Sequence, residues 1–230
     1  MDGAECAEGG RSIPFPRAGT VAAIAAVAFM GLVSVHLWSA LPDPVPSGER
    51  DLDGAPSTVP RGVFVSVLPL AALLLVGVFA LVVRVGSGFQ RAPGRAVPWS
   101  SPSLRRVLNL FLLLMALLLA TVHTVALHDA AGRMPEASAD RLIALSVAAF
   151  LVGMGLIVPL LRVEAGRDGA PARRWHRARV AVGVVVGLLG VLSAAAAFLL
   201  PGPVVAAASM VLVGPVILAG RAVPRAEERK

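Results

Sequence analysis

The sequence predicts an all-α polytopic integral membrane protein with six transmembrane helices arranged as three hairpins, and three observations carry that reading. Six runs contain no Asp, Glu, Lys or Arg: Val21 to Leu41, Val63 to Val83, Val107 to Leu127, Leu142 to Leu161, Val180 to Leu200 and Val204 to Gly220. The charged residues, 15% of 230, gather in blocks between these runs instead of alternating with apolar residues along one face, as a soluble helix requires. Basic residues also rise and fall from one connecting segment to the next. The hydrophobic share of 57% exceeds the roughly 45–50% of soluble domains. The lone Cys6 excludes an intrachain disulfide scaffold.

The elements follow from these runs. Residues 1–20 form a cytoplasmic tail, 21–83 a first transmembrane hairpin with a Pro-rich outer loop, and 84–106 a basic cytoplasmic loop. A second hairpin occupies 107–161, a second basic cytoplasmic loop 162–179, a third hairpin 180–220, and a cytoplasmic tail 221–230. A helix needs about 20 apolar residues to cross the hydrocarbon layer, which the first five runs supply; the sixth is shorter and follows the fifth across Pro201-Gly202-Pro203, a composition suited to a tight turn. Ser101-Pro102 and Ala170-Pro171 have the composition of helix starts, with proline near the first turn. The first run is read as a span and not as a cleaved signal, because three acids precede it and its apolar stretch exceeds a signal core.

Orientation comes from Lys and Arg, which are retained on the cytoplasmic side. Counted from the N-terminal segment to the C-terminal one, they number 2, 2, 5, 2, 6, 0 and 4, seventeen on one side against four on the other. Both termini are therefore expected in the cytoplasm, in a multi-pass protein of the cell membrane. The formal net charge of +7 reflects this topology, and no nucleic-acid partner is expected. Reporters fused after Arg95 and after Arg167 should report a cytoplasmic position, and one near Asp51 an external position; a cytoplasmic Asp51 would overturn the frame.

Candidate functional residues are few. No span contains an acid, a lysine or an arginine, which argues against an ion-coupled pump. His36 and His123 lie at similar depth near the outer leaflet, and with His128 they are the candidates for a polar or metal site. Gly183, Gly187 and Gly190 give the fifth helix a small-residue face suited to close helix packing. Arg173, Arg174, Arg177 and Arg179 form a basic collar before that helix, read as topology determinants or lipid-headgroup contacts. Trp38, Trp99 and Trp175 suit the headgroup region. No HExxH, GxSxG or phosphate-cradling glycine loop is present in the sequence, so a catalytic role and a cofactor are not expected. The prolines of the first outer loop, at 42, 44, 46, 56 and 60, are expected to hold it extended and to oppose helix formation.

In that loop Leu41-Pro42-Asp43-Pro44-Val45-Pro46, followed by Asp53-Gly54-Ala55-Pro56, lies between two apolar spans. This arrangement resembles the domain of unknown function 1648, which often forms the N-terminal part of SdpI-like immunity proteins in bacteria. The resemblance covers about Val33 to Leu75. The family usually has a His and an aromatic residue soon after the second proline pair, where this chain has Gly48-Glu49-Arg50. Arg174-Trp175-His176-Arg177 is similar to the basic stretch with a Trp that precedes the last helix pair of SdpI-type proteins. The resemblance implies an inner-membrane protein that protects against a secreted toxic peptide or relays a signal to a cytosolic regulator, with Pro42, Asp43, Pro44, Pro46, Asp53 and Gly54 as its recognition loop. The alternative is a small transporter or permease. The expected partners are membrane lipids and an extracellular peptide or a cytosolic regulator.

Overall fold

A computed structural model describes residues 15–50, 56–89, 101–162 and 170–199. Five long helices dominate: α1 (Arg17–Leu37), α2 (Arg61–Phe89), α3 (Ser101–Ala130), α4 (Glu136–Ile157) and α5 (Ala170–Leu199). Among the described residues, all five are long and apolar enough to cross a membrane. The sixth run, Val204 to Gly220, lies outside the described residues. So do Asp51 and, of the residues expected to take part in recognition, Asp53 and Gly54.

Each helix follows from its sequence, and several extend past the uncharged runs. α3 and α5 start at Ser101 and Ala170, the positions anticipated from their prolines, and so take in the arginines that precede their apolar segments. Arginine is a good helix former whose aliphatic stem can lie along the helix while its guanidinium stays in the polar layer. α1 and α4 both end in 3-10 turns, Trp38–Ala40 and Val158–Leu160. Pro159 thus ends α4 instead of kinking it, whereas Pro69 sits inside α2. Between α3 and α4, Gly132 takes a left-handed φ of 66° while the amides of Gly132 and Arg133 donate to the carbonyls of Asp129 and His128. Those bonds satisfy the end of α3, and glycine accepts the left-handed backbone without a Cβ clash.

The connection between α1 and α2 departs from the all-α expectation. Strands β1 (Val45–Arg50) and β2 (Pro56–Val59) pair antiparallel, with Val45 opposite Val59, Pro46 opposite Thr58 and Arg50 opposite Pro56. The prolines do favour extended backbone, but here it closes into a short hairpin. Proline lacks an N–H and so limits further pairing along a strand edge. The Asp43-Pro44 peptide is cis.

Packing pairs helices out of sequence order. α1 lies more extensively on α3 than on its chain neighbour α2, α4 lies on α5, and α3 joins the two pairs. α1 and α3 run parallel and in register, since Gly19 meets Asn109, Met30 packs with Ala120, and Ser34 meets His123. Buried Gly19, Ala23, Met30, Ser34 and Leu37 on α1 recur at spacings of three to four or their sums, the seam pattern of a left-handed helix pair. Above it, Leu37, Leu41 and Leu127 form a cluster flanked by Phe64 and Val65 of α2. Phe111 of α3 lies 5.3 Å from Phe79 of α2 and 6.4 Å from Phe150 of α4, centroid to centroid. Large apolar side chains such as Leu32, Leu74, Leu156 and Leu199 point away from the protein, as expected where the surrounding solvent is hydrocarbon.

The glycine face of α5 packs inside the protein, against α4, although its members differ. A Cβ on Gly183 would fall 2.5 Å from the carbonyl oxygen of Gly155 and 2.7 Å from Pro159, and one on Gly190 would fall 2.7 Å from the amide of Val152. A Cβ on Gly187 would meet nothing within 4 Å. Gly187 packs through its backbone: its side-chain direction faces open space, but a Cβ on Gly155 would fall 2.6 Å from its amide nitrogen. The unforeseen partner is Gly155, whose missing Cβ lets α5 approach α4 from the other side.

Candidate functional site

Arg61, the first residue of α2, organises the hairpin end of the bundle. Its Nη1 donates to the carbonyl of Trp38 at 3.2 Å, its guanidinium lies 5.4 Å from the centre of the Trp38 ring, and its Nη2 is 3.8 Å from the Asp43 carboxylate. The Arg61 amide lies 3.4 Å from Asp43 Oδ1. These contacts suit the charges, because a cation favours the C-terminal end of α1 and a carboxylate the N-terminal end of α2. Leu41 and Val45 are buried beneath, while Pro42, Asp43, Pro44 and Pro46 are exposed. One arginine thus fixes both the end of α1 and the entry to the hairpin, with the proline-rich segment presented outward. Sequence reasoning singled out the loop and missed Arg61; its place two residues before an apolar span, with Asp43 just after the preceding span, was the available signal.

The three candidate histidines, His36, His123 and His128, occupy different environments. His36 is on the exposed side of α1. His123 is 2% exposed, with Nε2 2.9 Å from Ser34 Oγ and 3.2 Å from the Met30 carbonyl. His128 uses Nδ1 to donate to the Thr124 carbonyl at 2.8 Å. Ser34 and His36 are two residues apart, about 200° around a helix, so the side of α1 that holds His123 carries His36 away from it. The polar contact is therefore Ser34 with His123, and it joins helices that are not neighbours in the chain. Among the described residues, no group of three or more His, Cys, Asp or Glu is placed to hold a metal ion.

A second polar contact closes the other end of the same seam. Asn109 Oδ1 accepts from the Gly19 amide at 2.7 Å, capping an N-terminal N–H of α1 that Pro16 leaves without a side-chain cap. A Cβ on Gly19 would fall 2.8 Å from the Asn109 carbonyl oxygen, so glycine permits this approach. Replacing Ser34 with Ala and His123 with Leu, singly and together, should give a coupling energy of roughly 0.5–1.5 kcal/mol in detergent unfolding. Additive losses would mean that the two side chains do not interact.

The basic collar divides. Arg179 Nη1 donates to the Pro159 carbonyl at 2.9 Å and Trp175 Nε1 to the Leu161 carbonyl at 2.9 Å, so both cap the end of α4. Arg177 is exposed. The side chains of Arg173 and Arg174 lie outside the described residues. No family model, curated protein or solved structure matches the chain.

Proposed function

We propose that this chain is a non-enzymatic bacterial inner-membrane protein whose first outer loop recognises an extracellular peptide, giving immunity to a secreted toxic peptide or relaying its presence to a cytosolic regulator. In this reading the chain crosses the membrane six times, Val204 to Gly220 completes a third hairpin with α5, and both termini are cytoplasmic. The observation that carries it is the hairpin held on the bundle by Arg61, Trp38 and Asp43. A loop anchored in this way exposes Pro42, Pro44 and Pro46 without the ordering cost that a free loop would meet on binding. The resemblance of this same segment to the N-terminal domain of SdpI-like immunity proteins supports the reading.

The alternative, a small transporter, calls for polar side chains converging on a path through the bilayer. Asn109, Ser34 and His123 are instead engaged between helices, and Ser66 and Ser146 bond to carbonyls three residues back in their own helices. Deleting the gene and profiling sensitivity to secreted peptides tests the proposal. Heightened sensitivity restored by the intact gene is the expected result, and unchanged sensitivity across peptides that act on the membrane would count against it.

A further inference from the structure

We infer that the arginine-rich end of α3, α4 and α5 is a binding site for the phosphate of an anionic phospholipid. The argument begins with the end of α4, where a helix leaves unsatisfied carbonyls and partial negative charge. That need is already met: Arg179 donates to Pro159, Trp175 to Leu161, and Ser103 to the Arg162 carbonyl at 3.2 Å. The same contacts draw together the ends of three helices, each of which carries a further arginine close by in its sequence. Arg162 directly follows Leu161, Arg106 is one turn along α3 from Ser103, and Arg177 is two residues from Trp175. All three are exposed, and none is needed to finish the end of α4.

Charge complementarity identifies the occupant. The acids among the described residues, Asp43, Glu49, Asp129, Glu136 and Asp140, all lie at the hairpin end of the helices; Glu164 and Asp168 lie outside the described residues. Arginine matches a phosphodiester through its forked donors, and a basic pocket between transmembrane helices at the headgroup layer is the arrangement that binds anionic lipid. Trp175 joins the helix ends with a side chain suited to the same layer. This inference does not depend on the outer loop recognising a peptide.

The test uses the full chain in vesicles containing equal amounts of phosphatidylglycerol and phosphatidylcholine, with retained lipid read by native mass spectrometry after extraction. The intact protein should keep phosphatidylglycerol preferentially, and combining Arg106→Gln, Arg162→Gln and Arg177→Gln should reduce that retention by about tenfold or more. Arg133→Gln, at the opposite end, should leave it unchanged. Equal retention of both lipids by the intact protein, or equal loss in the triple variant and Arg133→Gln, would overturn the site. Excess inorganic phosphate distinguishes the sources: displacement of the lipid, with phosphate bound in its place, would assign the site to free phosphate and overturn the lipid assignment. Should the glutamine variant fail to insert, the corresponding triple lysine variant retains the topological charge. It should hold phosphatidylglycerol several-fold less well, and full retention would remove the role given to the arginine fork.

Discussion

Gly183→Leu is expected to destabilise the protein in detergent by about 3 kcal/mol or more, at the upper end of what overpacking a core costs. Its first added carbon alone would lie 2.5 Å from the Gly155 carbonyl oxygen and close to the Pro159 ring. Backbone and a proline ring cannot turn aside as the tip of a flexible side chain would, so α5 has to move off α4. Gly155→Leu should act similarly, because its Cβ would meet the backbone of Gly183 and Gly187. Gly187→Ala supplies the contrast: its Cβ enters open space, and Ala favours helix over Gly by about 1 kcal/mol, so stability should hold or rise slightly. Thermal unfolding of the three variants at matched detergent concentration checks this. Equal losses for Gly183→Leu and Gly187→Ala would show that α4 and α5 do not meet through these glycines.

Arg61→Ala should have the largest effect on the hairpin between α1 and α2. It removes the donation to Trp38, the stacking on its ring and the pairing with Asp43 together, a loss of roughly 2 kcal/mol from contacts of this kind. The hairpin should then become more susceptible to protease, while the helices stay folded. Arg61→Lys keeps the charge but loses the planar fork, and should lie between wild type and Arg61→Ala. If the loop recognises a peptide, protection should fall in the same order at matched membrane abundance. Pro44→Ala with Pro46→Ala should weaken it by relaxing the extended segment, and neutralising Arg173 and Arg174 should matter less. Full protection in an Arg61→Ala protein whose hairpin is demonstrably loosened would end the loop hypothesis, whatever the remaining role of the protein.

Much of the helical framework was legible in the amino-acid sequence, and the reason is local. Whether a segment suits a bilayer depends on its own length and on the cost of each charge within it, so uncharged runs located five helices without reference to partners. Ser101-Pro102 and Ala170-Pro171 marked two helix starts through the backbone chemistry of proline alone. The prolines between the first two spans likewise indicated extended chain, but the pairing of Val45 with Val59 depends on two segments fourteen residues apart meeting in register. That is a property of two strands together.

The sequence by itself determined where the five described helices lie and how their charges gather beside the apolar runs. Only the tertiary structure decided that α1 rests chiefly on α3, that Ser34 and not His36 meets His123, and that Gly155 faces Gly183 across the α4–α5 contact. Nearly every face of these helices is apolar, so hydrophobicity does not distinguish one neighbour from another as it does in water. The choice falls to a few missing Cβ atoms and isolated hydrogen bonds, and their meaning emerges only when two distant segments are brought to the same depth. Asn109 shows this most directly: its oxygen accepts from the amide of Gly19 in the first turn of α1, ninety residues earlier.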